Sequence, residues 1–319
     1  MKTISVFNQK GGVGKTTTVV NLAVALAYLD KKVLVIDMDP QANATTGLGI
    51  DKNKVDTSVY DLFYILAEEE EKRKNEPIIE AEEIKEEEKP VEEVKEASGK
   101  RFIDLTGKGE KIMEEKSEDD SQNQEPTEEG FDKYVIKTES GVDLISSENS
   151  LSGLEVELVD LDPLERTRKL KEIIGQIKKE YDFVLIDCPP SLGLLSINSL
   201  VASDSIIIPI QTEYYALEGV SELMNTFELV KGSLNKDLYV EGVLLSMYDK
   251  RTKLATEVVE EVKKFFKDKV FMTMIPRNVR LAEAPSHGKS AIEYDPNSQG
   301  AMAYISLASE IIRKTMINY

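Results

Sequence analysis

Short runs of apolar, largely β-branched residues recur along the chain and alternate with longer stretches whose apolar positions fall at helical spacing. The runs at 3–7, 32–37, 142–146, 183–187, 205–210, 239–247 and 270–275 have the length and composition of buried strands. Helical spacing marks residues 15–29, 164–180, 217–230, 256–266 and 301–316. Strands that alternate with helices need crossovers between parallel neighbours. The pattern therefore predicts an α/β fold, a doubly wound and mostly parallel sheet, with its ligand site at the carboxyl ends of the strands. No repeat of fixed period is evident.

One segment breaks the alternation. Residues 68–130 hold 24 acidic and 11 basic side chains, with Phe102 the only aromatic and Pro77, Pro90 and Pro126 interrupting any helix. Such a stretch buries too little apolar surface to offset its ordering entropy. It reads as an acidic insertion, disordered or partly helical, within a single domain spanning residues 1–319. The insertion also changes the meaning of the chain's net charge of −19, which by itself argues against a polyanionic partner. Residues 231–289 carry 12 basic and 8 acidic side chains, among them Lys250, Arg251, Lys253, Arg277 and Arg280. A single cysteine, Cys188, excludes an internal disulfide and an iron–sulfur centre within one chain, and suits a reducing cytoplasm. No apolar run reaches the roughly 18 residues of a membrane span, so neither export nor insertion is signalled.

Chemistry concentrates after the first strand, in Gln9-Lys10-Gly11-Gly12-Val13-Gly14-Lys15-Thr16-Thr17. Glycines there let backbone N–H groups curl toward phosphate oxygens, and the helix that follows adds its positive end. Lys15 would reach the β- and γ-phosphates and the Thr16 hydroxyl would ligate Mg²⁺. The usual first glycine of this loop is replaced by Gln9, and Lys10 is an additional cation. Gly107-Lys108-Gly109 lacks both the strand and the spacing and carries no such reading. Two further strands end in carboxylates, Asp37-Met38-Asp39-Pro40-Gln41 and Asp187-Cys188-Pro189-Pro190. Each aspartate taken alone is an ordinary strand-end residue. Together with the loop they supply metal-holding and water-orienting groups for nucleotide hydrolysis. His287, the only histidine, has no part in that scheme.

The motifs KGGVGKTT, DMDPQAN and DCPPSLG resemble the deviant Walker A, A′ and B motifs of the ParA/MinD family. The runs beginning at Asp187, Glu213 and Ile275 resemble its Soj-type chromosome-partitioning branch, and the likeness covers residues 1–66 and about 131–319. The resemblance implies a P-loop NTPase architecture and an ATPase using ATP and Mg²⁺. It further implies a nucleotide-sandwich homodimer that binds DNA without sequence preference, a ParB-type stimulating partner and a nucleoid-associated location. By the same resemblance Lys10 reaches the partner subunit's nucleotide, Asp39 positions the hydrolytic water, and Asp37 and Asp187 join the Mg²⁺ shell. Residues 189–193 form a switch, Pro276 and Asn278 contact adenine, and Arg251 and Arg280 contribute to the DNA surface. The alternative is a MinD-like positioning ATPase with an amphipathic membrane-binding tail. Residues 307–319 have apolar residues at helical spacing but only Arg313 and Lys314 as cations, which favours a tail packed on the core. No membrane partner is expected.

Overall fold

The computed structural model of the chain describes residues 1–75, 130–213 and 219–317. Two compact units divide the chain, Met1–Lys72 with Glu128–Tyr319, and Arg73–Thr127. Of the second, only residues 73–75 are among those described. The acidic insertion from 76 to 129, including Gly107-Lys108-Gly109, and residues 214–218 lie outside the described residues.

The first unit is built on seven strands, β1 (Lys2–Val6), β2 (Val33–Asp37), β3 (Ile136–Lys137), β4 (Asp143–Ile145), β5 (Phe183–Asp187), β6 (Ser205–Gln211) and β7 (Tyr239–Ser246). They lie in the order β3-β4-β2-β5-β1-β6-β7, all parallel except the short β3, which runs antiparallel to β4. This is the doubly wound sheet expected from the alternation. Helices follow the strands: α1 (Lys15–Tyr28), α2 (Asn43–Gly47), α3 (Val59–Asn75), α4 (Leu154–Glu157), α5 (Lys169–Gln176) and α6 (Leu194–Ala202). The series continues with α7 (Val220–Ser233), α8 (Lys253–Phe266), α9 (Val279–Glu283), α10 (Ala291–Tyr294) and α11 (Gln299–Ile317).

Period-two alternation splits β2, β4, β5, β6 and β7 between two cores. In β2, Leu34 and Ile36 face the core shared with α3, α5, α6, α7 and α8, while Val33 and Val35 face the core shared with α1, α10 and α11. On the second face Ala301, Tyr304, Leu307, Ala308 and Ile311 of α11 are buried, so the apolar stripe of the last helix is spent on the core. Among the described residues no helix is long and apolar enough to cross a membrane.

Three expectations need correction. Residues 270–275 form no strand, although Phe271 N–H and Ile275 N–H still donate to the carbonyls of Val243 and Leu245. Between them the N–H groups of Met272 and Thr273 are taken by the buried Glu310 carboxylate, at 2.9 and 3.1 Å, which bends the segment out of the ladder. The helix expected over 164–180 is a short 3₁₀ turn (Glu165–Thr167) followed by α5, which stops at Gln176. Beyond it the N–H groups of Lys178 and Lys179 donate to the Asp132 carboxylate instead of to the helix. Residues 68–75, read as the start of the insertion, belong to α3.

Candidate functional site

Strand register assembles the site. Val6, the last residue of β1, pairs with Asp187 of β5, and Asp187 pairs with Asp37 of β2. Three adjacent strands thus end side by side, one feeding the glycine loop and two ending in carboxylates. Crossing strand order at this edge opens the crevice in which α/β sheets bind ligands.

The loop is held in shape from both ends. Asn8, buried at the end of β1, donates its amide to the Pro209 carbonyl at 2.8 Å and accepts Lys10 N–H at 2.9 Å. From β7, the Ser246 hydroxyl donates to the Val13 carbonyl at 2.8 Å. Gly12 and Gly14 have φ of 74° and 92°, left-handed conformations in which a side chain is strained. A Cβ at Gly11, Gly12 or Gly14 would meet no atom within 4 Å among the described residues. Lys15 is buried, and its ammonium donates to the Lys10 carbonyl at 3.1 Å. Burial depresses the Lys15 pKa, against the opposing pull of Asp187 and Asp39. Lys10, Gly11 and Gly12 are exposed, Val13 is buried, and Thr16 and Thr17 are half-buried at the start of α1.

The carboxylates differ sharply in their surroundings. Asp37 accepts Thr45 N–H and the Thr45 hydroxyl, both at 2.8 Å, and Asp39 N–H at 3.2 Å. Burial raises its pKa to about 6 in spite of those donors, with the Asp39 charge adding to the rise. Asp187 is fully buried and neither carboxylate oxygen has a hydrogen-bond partner among the described residues. Burial and the nearby Asp37 push its pKa well up. The Thr16 hydroxyl opposes that rise as a close polar neighbour, without forming a hydrogen bond of normal geometry. Asp39 accepts Gln41 N–H at 3.0 Å, and Ala42 behind it has φ of 55°, a strained turn that leads into α2. Residues 189–193 connect β5 to α6, and Glu155 of α4 sits against Gly193.

Beside the loop lies a cavity of about 350 Å³ lined by Gly14, Thr17, Met247, Pro276, Asn278 and Tyr304, among others. This volume is at the lower end for small-molecule sites. Pro276 and Asn278, expected to meet adenine, therefore share a pocket with the phosphate loop. Asn278 also caps α9, accepting Arg280 N–H at 2.9 Å. Arg251 lies in the turn before α8 and Arg280 within α9, where Arg280 is ion-paired with Glu283 at 2.8 Å and Asp295 at 3.2 Å. Asn8, Thr45 and Ser246 escaped the sequence reading. Asn8 left one signal, a polar residue between an apolar strand and the glycines; Thr45 and Ser246 left none, because their roles exist only through tertiary contact.

A family model described as an AAA domain matches residues 1–240. The chain is 45% identical over 310 residues to the sporulation initiation inhibitor protein Soj of Bacillus subtilis (strain 168), covering 97% of this chain and 98% of Soj. It is 38% identical over 311 residues to the chromosome partitioning protein ParA of Myxococcus xanthus (strain DK1622), covering 98% and 88% of the two. Among solved structures, cobyrinic acid a,c-diamide synthase from Mycobacterium smegmatis with bound ADP and magnesium matches with a TM-score of 0.70 and 27% identity, over 100% of this chain and 97% of that one. With the phosphate loop and paired strand-end carboxylates in place beneath this near-full-length similarity, the chain belongs to the ParA/Soj family of chromosome-partitioning ATPases.

Proposed function

We propose that the protein is a DNA-partitioning ATPase that binds ATP and Mg²⁺, forms a nucleotide-sandwich homodimer and binds duplex DNA without sequence preference. In this reading a ParB-type partner stimulates hydrolysis, and the protein is cytoplasmic and nucleoid-associated. The observation that carries it is the register Val6, Asp187, Asp37, which sets the phosphate loop beside Asp187, with Asp37 on the next strand. The donor set fits a hard divalent cation: Asp187 presents two buried oxygens without hydrogen bonds among the described residues, next to the Thr16 hydroxyl. Thr16, Asp187 and Asp37 would hold Mg²⁺, which when bound neutralises charge on the phosphates.

The chain's own groups do the rest. Gly11, Gly12, Val13, Gly14, Thr16 and Thr17 offer backbone N–H groups to phosphate oxygens. Lys15 exchanges the Lys10 carbonyl for phosphate oxygens when nucleotide enters. Asp39, fixed by Gln41 N–H, orients the attacking water and accepts its proton. Pro276 and Asn278 border the purine. Lys10, exposed at the loop tip, reaches the partner subunit's nucleotide, so a cation arriving in trans makes hydrolysis conditional on dimerisation. Gly11 offers a clean test of the sandwich: a Cβ there would meet no atom within 4 Å among the described residues and its φ is not positive, so a side chain would burden a facing subunit and not the loop itself. The buried stripe of α11 weighs against the membrane-tail alternative.

Light scattering of the parent and of Gly11→Val in Mg²⁺ and ATP tests this reading. The parent doubles in mass and Gly11→Val stays a monomer. An unaltered ATP-dependent dimer in the variant would overturn the sandwich geometry.

A further inference from the structure

Next to the purine cavity, and sharing Pro276, Arg277, Asn278 and Val279 with it, runs a groove of about 480 Å³. Its lining includes three cations, Lys250, Arg251 and Arg277, and a single carboxylate, Asp249. The Arg251 side chain is 82% exposed, yet its Nε and one terminal nitrogen donate to the two Asp249 oxygens at 2.9 and 2.7 Å. That two-point fork is the geometry a guanidinium uses on a phosphate. Asp249 is the fixed member of the pair. Its Oδ1 also accepts Arg251 N–H at 3.0 Å, and its carbonyl accepts Thr252 N–H at 3.1 Å and the Thr252 hydroxyl at 3.0 Å, in the turn that starts α8. Arg251 is the exposed member, a long side chain open to solvent.

We propose that this groove is a phosphodiester-binding site of the DNA surface and that Asp249 is its exchangeable internal counter-ion, occupying Arg251 until a DNA phosphate displaces it. The proposal rests on the reading of Arg251 as a DNA contact and adds what regulates that contact. Arg251 holds the Asp249 carboxyl well below the usual carboxylate range, with Arg277 adding to the effect, so the carboxylate remains charged whenever DNA approaches. An exposed ion pair contributes little to stability, so releasing Arg251 costs little. The price is paid in affinity, because a fixed negative charge in the groove repels each incoming phosphate and reduces the counterions that Arg251 releases on binding.

Asp249→Asn separates charge from structure, since the amide keeps an Oδ1 acceptor for the turn. Anisotropy of a labelled random-sequence duplex, titrated in Mg²⁺ and ATP over a range of salt, compares the parent, Asp249→Asn, Arg251→Ala and the double variant. Asp249→Asn should bind roughly 3- to 10-fold tighter at low salt, with a salt slope steeper by up to about one unit. The gain should vanish in the double variant, which should match Arg251→Ala. If Arg251→Ala weakens binding and Asp249→Asn matches the parent, the counter-ion role is overturned while the DNA contact stands. If Arg251→Ala itself binds like the parent, the assignment of Arg251 fails and the proposal with it.

Discussion

Asp37 and Asp187 end neighbouring strands with fully buried carboxyl groups, and burial raises the pKa of both, Asp37 to about 6 with the Asp39 charge adding, and Asp187 well up with the Asp37 charge adding. A carboxyl whose folded pKa exceeds its unfolded value keeps its proton more tightly in the native state. Its stabilising contribution is therefore present at low pH and is lost as pH rises from the ordinary carboxylate range through about 6. Asp187→Asn, in the nucleotide-free protein, should differ little from the parent near about pH 4 and become more stable, by about 1–3 kcal/mol, once pH has passed the raised pKa of Asp187 in the folded parent. Urea unfolding across pH measures this, and equal stability at all pH values would contradict it. With Mg²⁺ and ADP the order should reverse, because only the parent retains the carboxylate that the metal needs. Binding and chemistry separate elsewhere. Lys15→Ala should weaken ATP binding roughly 100-fold through loss of a charged hydrogen bond. Asp39→Ala should keep binding and lose turnover by roughly 10²-fold or more. Calorimetric titration and phosphate release check both, and turnover at the parental rate would remove Asp39 from the reaction.

At the scale of elements, what the sequence disclosed followed burial. The run at 183–187 coincides with β5, all five of its residues being buried. The run at 270–275 is also largely apolar but loses its strand to Glu310, a residue 37 positions away from Thr273 that no local pattern reveals. Glu310→Ala should cost about 2 kcal/mol, by leaving the Met272 and Thr273 N–H groups without their acceptor, and Glu310→Gln should recover part of it. Thermal unfolding of the two variants measures this; an unchanged midpoint in Glu310→Ala would show that the segment finds other acceptors. Helix α3 was obscured differently. Val59, Leu62, Phe63 and Leu66 are buried at helical spacing, but the acidic run that follows hides the pattern. The site was more legible than its supports. The glycines, Lys15 and the strand-end aspartates stand in contiguous motifs, whereas Thr45 meets Asp37 only because the five-residue α2 returns the chain to β2.

For the whole molecule, the strand order and both cores are complete within Met1–Lys72 and Glu128–Tyr319. Joining residue 75 to residue 130 through a short glycine-serine bridge should therefore leave the melting transition cooperative and Mg²⁺-ATP affinity unchanged. Loss of nucleotide binding, measured by calorimetry, would make the acidic segment part of the folded site. The same variant reports on charge. Tighter DNA binding at low salt, fading as screening increases, would identify the segment as an internal competitor for the DNA surface, and equal affinity would identify it as a solvated insertion. Coupling of the nucleotide site to DNA and to a protein partner is read in the ATPase rate. Turnover of the full chain should be slow alone and rise when duplex DNA and a cognate ParB-type protein are added together. Stimulation by anionic liposomes, with no response to DNA and the partner protein, would contradict it.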